Sequence, residues 1–117
     1  MQYAHSRLCS IERKFGTVPP IDQVDLSLLQ EPEAIFLCET LGRYPSVVAL
    51  AQQQLEPVNI VTFALDLSHA ISSAIEKLWV IGQSPEVAAA RVALYSAARI
   101  ALGNALRVIG LTPLERM

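Results

Sequence analysis

The feature that most constrains this chain is a long apolar segment near its end, residues 87–109. It contains no proline and a single glycine, and most of its residues are Ala, Leu, Val or Ile. Ser84-Pro85-Glu86 precedes it, a typical helix start in which serine caps free N–H groups, proline suits the first helical position and glutamate faces the positive end of the dipole. Gly110 follows as a stop signal. We predict one helix of about 25 residues, apolar around most of its circumference and packed by several neighbours.

The arginines of this segment belong to a row with a four-residue spacing. Each step of the row advances about 40° around a helix, so its members wind slowly along the surface. No acidic residue lies between Glu86 and Glu115, and the row therefore predicts a basic stripe. We call it the arginine ladder, and its members are Arg91, Tyr95, Arg99, Gly103 and Arg107.

The residues at this end also resemble a known family. The sequences Asn104-Ala-Leu-Arg107 and Glu115-Arg116-Met117 are similar to the C-terminus of arginyl-tRNA synthetases. That part of the family is a helical anticodon-binding domain named for an Asp-Ala-Leu-Arg motif, whose first residue is asparagine here. The likeness runs over nearly all of the 117 residues and is strongest toward fungal members. It implies an all-α fold and a function in tRNA binding.

The first helix is predicted over Gln2–Phe15, with Gly16 at its end. Tyr3-Ala-His-Ser-Arg7 resembles the signature that opens the same domain in arginyl-tRNA synthetases, which implies a helix bordering the tRNA. The residues alone leave a second interpretation open, in which Tyr3 packs against the protein and Arg7 is solvated.

Three further helices are predicted between the two ends of the chain. A proline pair makes 17–30 a loop with at best a short helical turn. The second helix is predicted over 31–41, the third over 47–55 and the fourth over 58–81. The fourth and fifth helices must form a long antiparallel hairpin, because only a short turn joins them. We predict a single domain over 1–117, an all-α bundle of about five helices.

The distribution of charge separates the ends of the chain from its middle. Residues 1–14 carry three basic residues against one acidic residue, residues 87–117 carry four against one, and residues 15–86 carry two against nine. The net charge of −2 argues against a general nucleic-acid-binding protein. A bundle that brings the two ends together would nevertheless present one basic face.

Other kinds of site find little support in the sequence. Asp66, His69 and Ser73 share one face of the fourth helix, but that spacing is common and nothing supplies an oxyanion hole. His5 and Cys9 resemble half of a metal site, yet two histidines and two cysteines argue against a closed zinc site. No uncharged stretch reaches about 18 residues, which excludes a transmembrane helix.

The family resemblance also bears on catalysis. Synthetases of this class need a His-x-Gly-His type motif and a Lys-Met-Ser-Lys type loop for adenylate chemistry. The isolated histidines and lysines of this chain cannot supply either one. We predict no catalytic residue, no metal and no cofactor in this chain, and no activity of the chain alone. The ATP site would belong to the catalytic domain of the parent enzyme.

RNA binding is the function that the resemblance favours. Proteins bind unpaired anticodon bases by stacking and by contacts to the base edges, while cationic side chains neutralise the phosphates. An arginine row by itself is a weak signal, because such a face is usually solvated. In the family, residues corresponding to Tyr3, Trp79 and Met117 surround the anticodon loop. The candidate RNA-binding residues are Tyr3, Arg7, Arg13, Lys14, Ile75, Trp79, Arg91, Arg99, Arg107, Arg116 and Met117.

Two positions near the end of the fourth helix leave alternatives open. Trp79 is, from its residue type, more often a core residue than a ligand contact. At Ile75, fungal relatives typically have a tyrosine that stacks on an anticodon base, and isoleucine cannot stack in that way. This departure implies weakened recognition or a diverged copy, unless Ile75 belongs to the core.

We therefore expect the anticodon-binding domain of an arginine–tRNA ligase, excised or encoded as a truncated copy, which supports ATP-dependent arginylation in the full enzyme. The expected partners are an arginine tRNA and the parent catalytic domain, without a membrane, in the cytoplasm or the mitochondrion. The alternative is a stand-alone helical protein-interaction module that kept the fold. The mean hydropathy of +0.37 favours it, since a severed domain exposes apolar surface.

Overall fold

The structure is a computed structural model that describes residues 1–47 and 58–116. The α-helices within these residues are α1 (Gln2–Phe15), α2 (Pro32–Gly42), α3 (Val58–Lys77) and α4 (Pro85–Val108). Between α1 and α2 lie two short 3-10 turns, Ile21–Gln23 and Leu26–Leu28. Residues 44–47 are helical, and the rest of the predicted 47–55 helix lies outside the described residues. The all-α prediction is confirmed.

The central helix of the bundle is α4, as its composition predicts. It packs against α1, α2 and α3, and its buried face is built from alanines and larger apolar residues such as Val92, Leu102 and Leu106. Ser84 precedes the helix with an extended backbone, although its side chain makes no capping hydrogen bond. Gly110 ends it with a φ of 87°, a left-handed conformation that glycine adopts without strain.

The helix α3 packs its apolar arc, which begins at Ile60, against α2 and α4, and Leu78, just beyond the helix, is buried with it. By length and composition alone α3 could also cross a membrane, contrary to the prediction above: it has 20 residues and a mean hydropathy of 1.4 in its most apolar window. A core helix of a globular protein passes the same test. The apolar arc of α3 forms the core of this bundle, and Asp66 on its other side pairs with Arg43 at 3.1 Å.

The helix α3 ends at Lys77, whereas the sequence predicts a helix to Ile81. At this end of α3, side chains of α4 donate hydrogen bonds to backbone carbonyl oxygens. The Tyr95 hydroxyl lies 3.0 Å from the Ala74 carbonyl oxygen and 2.6 Å from that of Leu78. For the Leu78 carbonyl, the hydroxyl takes the place of the backbone N–H that a further helical turn would supply, whereas the Ala74 carbonyl also accepts from Leu78 N at 2.7 Å. Periodicity along α3 cannot reveal these side-chain donors, because they come from another helix.

Candidate nucleic-acid interface

The solvent side of α1 carries an aromatic ring and two cations. Ala4 and Leu8 are buried in the core, which fixes the rotation of the helix. Tyr3, Arg7 and Lys14 are exposed and fall within an arc of about 40°, here called the outer face of α1. The Tyr3 residue is 63% exposed, so the interpretation in which it packs against the protein is wrong.

A groove of about 560 Å³ lies between α1 and the end of α3. Arg7 and Lys14 line it from α1, and Trp79 lines it from the segment after α3. Between them the lining is largely apolar and includes Ile75 and Val80. The fold thus brings four of the predicted RNA-binding positions together from two distant parts of the sequence: Arg7, Lys14, Ile75 and Trp79.

Trp79 presents its indole ring at this groove. The residue is 65% exposed, so the interpretation of Trp79 as a core residue is wrong. Its Nε1–H donates a hydrogen bond to the Glu76 carbonyl oxygen at 3.2 Å. With that N–H engaged, what the side chain offers a ligand is the face of the ring, which suits stacking on a base. Ile75 is half-buried, and it both packs against the core and lines the groove.

The arginine ladder is not an exposed stripe, and this prediction is wrong for most of its members. Arg91 is 8% exposed, and its Nη2 bonds to Glu31 Oε1 at 2.7 Å. Arg99 Nε donates to Glu12 Oε1 at 2.8 Å, and Tyr95 is fully buried. The four-residue spacing keeps the ladder beside the elements that pack on α4, so its polar groups meet partners there. Arg91 is therefore buried in an ion pair within the bundle, whereas the Arg99 side chain is paired and 31% exposed.

The two ends of the chain lie together, as the charge distribution suggests. Residues 111–116, here called the tail, run beside α1 after the end of α4. Gln2 Nε2 donates to the Thr112 carbonyl oxygen at 2.9 Å, and Arg13 Nη1 donates to that of Glu115 at 3.2 Å. The tail thus places residues from the end of the chain next to the helix that carries the outer face.

The remaining candidates differ in what the structure says of them. Arg116 is exposed at the end of the tail, and Met117 lies outside the described residues. Sequence reasoning missed Gln2 and His5, which hold the tail. Their partners are backbone groups about a hundred residues away in the sequence, and no spacing or residue type signals such a contact.

The other polar residues considered above lie on α3 and in the interior of the bundle. In the row Asp66, His69 and Ser73, which the sequence analysis disfavours as a triad, the Asp66 carboxylate is paired with Arg43 at 3.1 Å. Within 1–47 and 58–116, no group of three or more His, Cys, Asp and Glu side chains could hold a metal ion. The groove and the outer face of α1 together form the candidate nucleic-acid interface.

The whole chain, residues 1–117, matches the family model of the DALR anticodon binding domain. The chain belongs to this family. Its relatives include a probable cytoplasmic arginine–tRNA ligase of Dictyostelium discoideum, 51% identical over 118 residues, and the cytoplasmic arginine–tRNA ligase of Saccharomyces cerevisiae, 48% identical over 119 residues. The mitochondrial arginine–tRNA ligase of Saccharomyces cerevisiae is 40% identical over 119 residues. These alignments cover 100% of the chain but only 18% to 20% of each relative, so this DALR domain spans about a fifth of their length.

The motif that names the DALR family lies in the last turns of α4. Ala105 and Leu106 are fully buried in the core, whereas Arg107 is exposed. Arg107 Nη1 donates to Asn104 Oδ1 at 3.3 Å, so the asparagine at the first motif position still accepts a hydrogen bond as aspartate would. Half of the motif therefore serves packing, and the other half leaves a cation at the surface near the tail.

Proposed function

We propose that this DALR domain binds the anticodon loop of an arginine tRNA, as the anticodon-binding domain of an arginine–tRNA ligase. The observation that carries the proposal is the groove beside α1. There the exposed ring of Trp79 and an apolar lining face the cations Arg7 and Lys14. The relatives named above are arginine–tRNA ligases that match the entire chain, which supports the choice of tRNA.

An anticodon loop offers the two chemical groups that such a groove suits. Its bases are unpaired and can stack on an aromatic face, and its phosphates need cations. We assign base stacking to Trp79 and phosphate contacts to Arg7 and Lys14, while Ile75 gives apolar contact. Tyr3 adds a second aromatic ring on the outer face of α1. The further contacts assigned to RNA are Arg13, Arg107, Arg116 and Met117.

We extend the proposal to the parent enzyme. There the domain would support the ATP-dependent attachment of arginine to tRNA, with the ATP site in the catalytic domain as its partner. Relatives include both cytoplasmic and mitochondrial ligases, and we propose one of these two locations. The alternative of a stand-alone protein-interaction module is not favoured, since the alignments to ligases run through the whole chain.

Salt dependence tests the proposed function. The affinity for an arginine anticodon stem-loop should fall roughly tenfold or more over a fourfold rise in salt, if three or four phosphates are contacted. Arg7→Gln and Lys14→Gln should each flatten that slope by about one unit. Arg43→Gln is the matched control, because Arg43 is an exposed arginine outside the groove. Fluorescence anisotropy titrations at several salt concentrations give the slopes, and slopes in both variants that equal the control would assign these cations to a solvated face.

Ile75→Tyr should tighten binding of the same stem-loop by roughly 1 kcal/mol, about fivefold. Ile75 borders an open groove of about 560 Å³, so a larger side chain has space to extend toward a bound base. A stem-loop with a scrambled anticodon is the control and should gain little. The competing expectation is overpacking, which costs about 1–3 kcal/mol of stability. A lower melting temperature without tighter, anticodon-dependent binding would make Ile75 a core residue.

A further inference from the structure

We propose that Gln2 and His5 are positioning residues, which hold the tail against α1 and thereby fix where the end of the chain meets the RNA. Both residues lie beside the tail on α1, and neither lines the groove. The part of this inference that concerns RNA rests on the proposed function. The part that concerns the tail itself rests on hydrogen-bond geometry alone.

The backbone of the tail depends on side chains for its place. The helix α4 closes with two backbone bonds, from Leu111 N to the Leu106 carbonyl oxygen at 2.9 Å and from Gly110 N to that of Arg107 at 3.0 Å. From 112 to 115, the hydrogen bonds that the structure gives for the tail backbone run to side chains of α1. Neither a helix nor a strand orders this segment in the described part of the chain.

Gln2 recognises the tail backbone with both ends of its amide group. Its Nε2 donates to the Thr112 carbonyl oxygen at 2.9 Å, and its Oε1 accepts from Leu114 N at 2.9 Å. Donor and acceptor are matched in only one orientation of the amide, since a carbonyl cannot donate and an N–H cannot accept. The pair of bonds therefore fixes which tail residues lie opposite Gln2.

His5 contacts the carbonyl group of Leu114, the same tail residue whose N–H bonds to Gln2. Its Nδ1 lies 2.7 Å from the Leu114 carbonyl oxygen, and because a carbonyl only accepts, Nδ1 must carry the proton. The other edge of the ring faces Gly103, where an added Cβ would lie 3.2 Å from Nε2. The ring is 4% exposed, so it is wedged between α4 and the tail. Gly103 thus belongs to the arginine ladder as the residue that makes room for His5.

The positions of these residues on α1 explain why the tail matters for RNA. Gln2, His5 and Arg13 fall within an arc of about 80°, next to the arc of the outer face. The tail therefore borders the surface that carries Tyr3, and the groove borders the same surface on its other side. An RNA loop seated on the outer face would meet the tail, provided that the tail is held in place.

Amide hydrogen exchange of the free chain tests the clamp directly. Gln2→Met keeps the length of the side chain and removes both hydrogen bonds, so the Leu114 amide should exchange about tenfold faster. Gln2→Glu keeps the acceptor for Leu114 N but loses the donor to Thr112, and its exchange rate should lie in between. Gln23→Met is the matched control, an exposed glutamine in a 3-10 turn that should leave Leu114 unchanged. Equal exchange at Leu114 in wild type and Gln2→Met overturns the inference.

Affinity for the anticodon stem-loop tests the consequence for RNA. Gln2→Met should weaken it by about threefold to tenfold while the salt slope stays constant, because no cation is lost. The effect of Gln2→Met on affinity should be smaller in the full chain that also carries His5→Leu, because both residues hold the same segment. Fully additive losses would assign Gln2 to the RNA itself and overturn the positioning role.

His5 provides a second, independent variant. His5→Asn keeps an amide N–H near the place of Nδ1, so it should restore most of the Leu114 protection that His5→Leu removes. Equal exchange in these two variants would exclude His5 from the clamp. If wild type shows no anticodon-dependent, salt-dependent binding, the proposed function fails and the RNA part of this inference fails with it. The exchange rates then still decide whether Gln2 and His5 hold the tail.

Discussion

Replacing Glu31 with alanine is expected to lower the free energy of unfolding by about 2–3 kcal/mol, because Arg91 loses its anion inside the bundle. The Arg91 side chain is only 10% exposed, and the removal of one partner from a buried pair typically costs about 3–5 kcal/mol. The Glu31 side chain is 36% exposed, which moves the expected value to the lower end. Urea unfolding measures the change, provided that the slope m is the same in both proteins.

The matched control for this variant is Glu33→Ala. Glu33 lies in the first turn of the same helix, α2, where it faces the positive end of the dipole. Its removal should cost about 0.3–1 kcal/mol, the usual size of a dipole interaction at a surface. Equal losses in Glu31→Ala and Glu33→Ala would contradict the assignment of Arg91 as a buried cation that needs its partner.

Acid should reduce the difference between wild type and Glu31→Ala. A hydrogen bond from its own backbone N–H, together with the Arg91 guanidinium, holds the pKa of Glu31 below its ordinary value of 4.5, although burial opposes this shift. A carboxylate with a lowered folded-state pKa contributes stability that is fully present above its unfolded pKa and lost as the pH falls through the folded value. The stability difference should therefore be constant near neutral pH and shrink below about pH 4.5.

Local signals predicted the helices well. The first helix was expected over Gln2–Phe15 and is found there, because Gly16 interrupts the apolar pattern on its C-terminal side. The α4 helix begins at Pro85 and ends just before Gly110, as the proline and glycine signals indicate. Such boundaries depend on residues within a few positions of one another, and the sequence contains that information.

Contacts between distant segments were the part that the sequence could not predict. The spacing of Arg91 and Arg99 indicates correctly that they share a side of α4, but it cannot say whether that side is covered. Their partners, Glu31 and Glu12, lie outside α4 and far away in the sequence, and no sequence pattern near either glutamate indicates this pairing. The predicted RNA role of Trp79 likewise came from the family resemblance, whereas residue type alone favoured the core. The exposure of Trp79 depends on the end of α3 at Lys77, where Tyr95 of α4 bonds to the Leu78 carbonyl oxygen.

Tyr95→Phe is expected to lower the free energy of unfolding by about 2 kcal/mol, because it removes one hydroxyl from the centre of the bundle. Tyr95 is 1% exposed, and its ring would remain packed as phenylalanine. The lost O–H lies 3.0 Å from the Ala74 carbonyl oxygen and 2.6 Å from that of Leu78. The Ala74 carbonyl keeps the Leu78 N–H at 2.7 Å, so the Leu78 carbonyl is the one that stays buried without this donor. Burial also raises the pKa of the Tyr95 hydroxyl, which therefore keeps its proton and remains a donor.

The same variant should weaken binding of the anticodon stem-loop by several-fold, since the Leu78 carbonyl lies between Ile75 and Trp79. Without the hydroxyl, the segment that displays the Trp79 ring loses one of two anchors to α4, although no residue facing the RNA is changed. The other anchor remains, since Arg91 Nη1 donates to the Trp79 carbonyl oxygen at 2.7 Å. Tyr44→Phe is the matched control, because the Tyr44 ring packs on Phe63 with centroids 5.6 Å apart and should change stability by no more than about 0.5 kcal/mol. Urea unfolding and stem-loop titration of both variants give the comparison. If Tyr95→Phe is destabilised but binds RNA as tightly as Tyr44→Phe, the hydroxyl supports the fold without setting the position of Trp79.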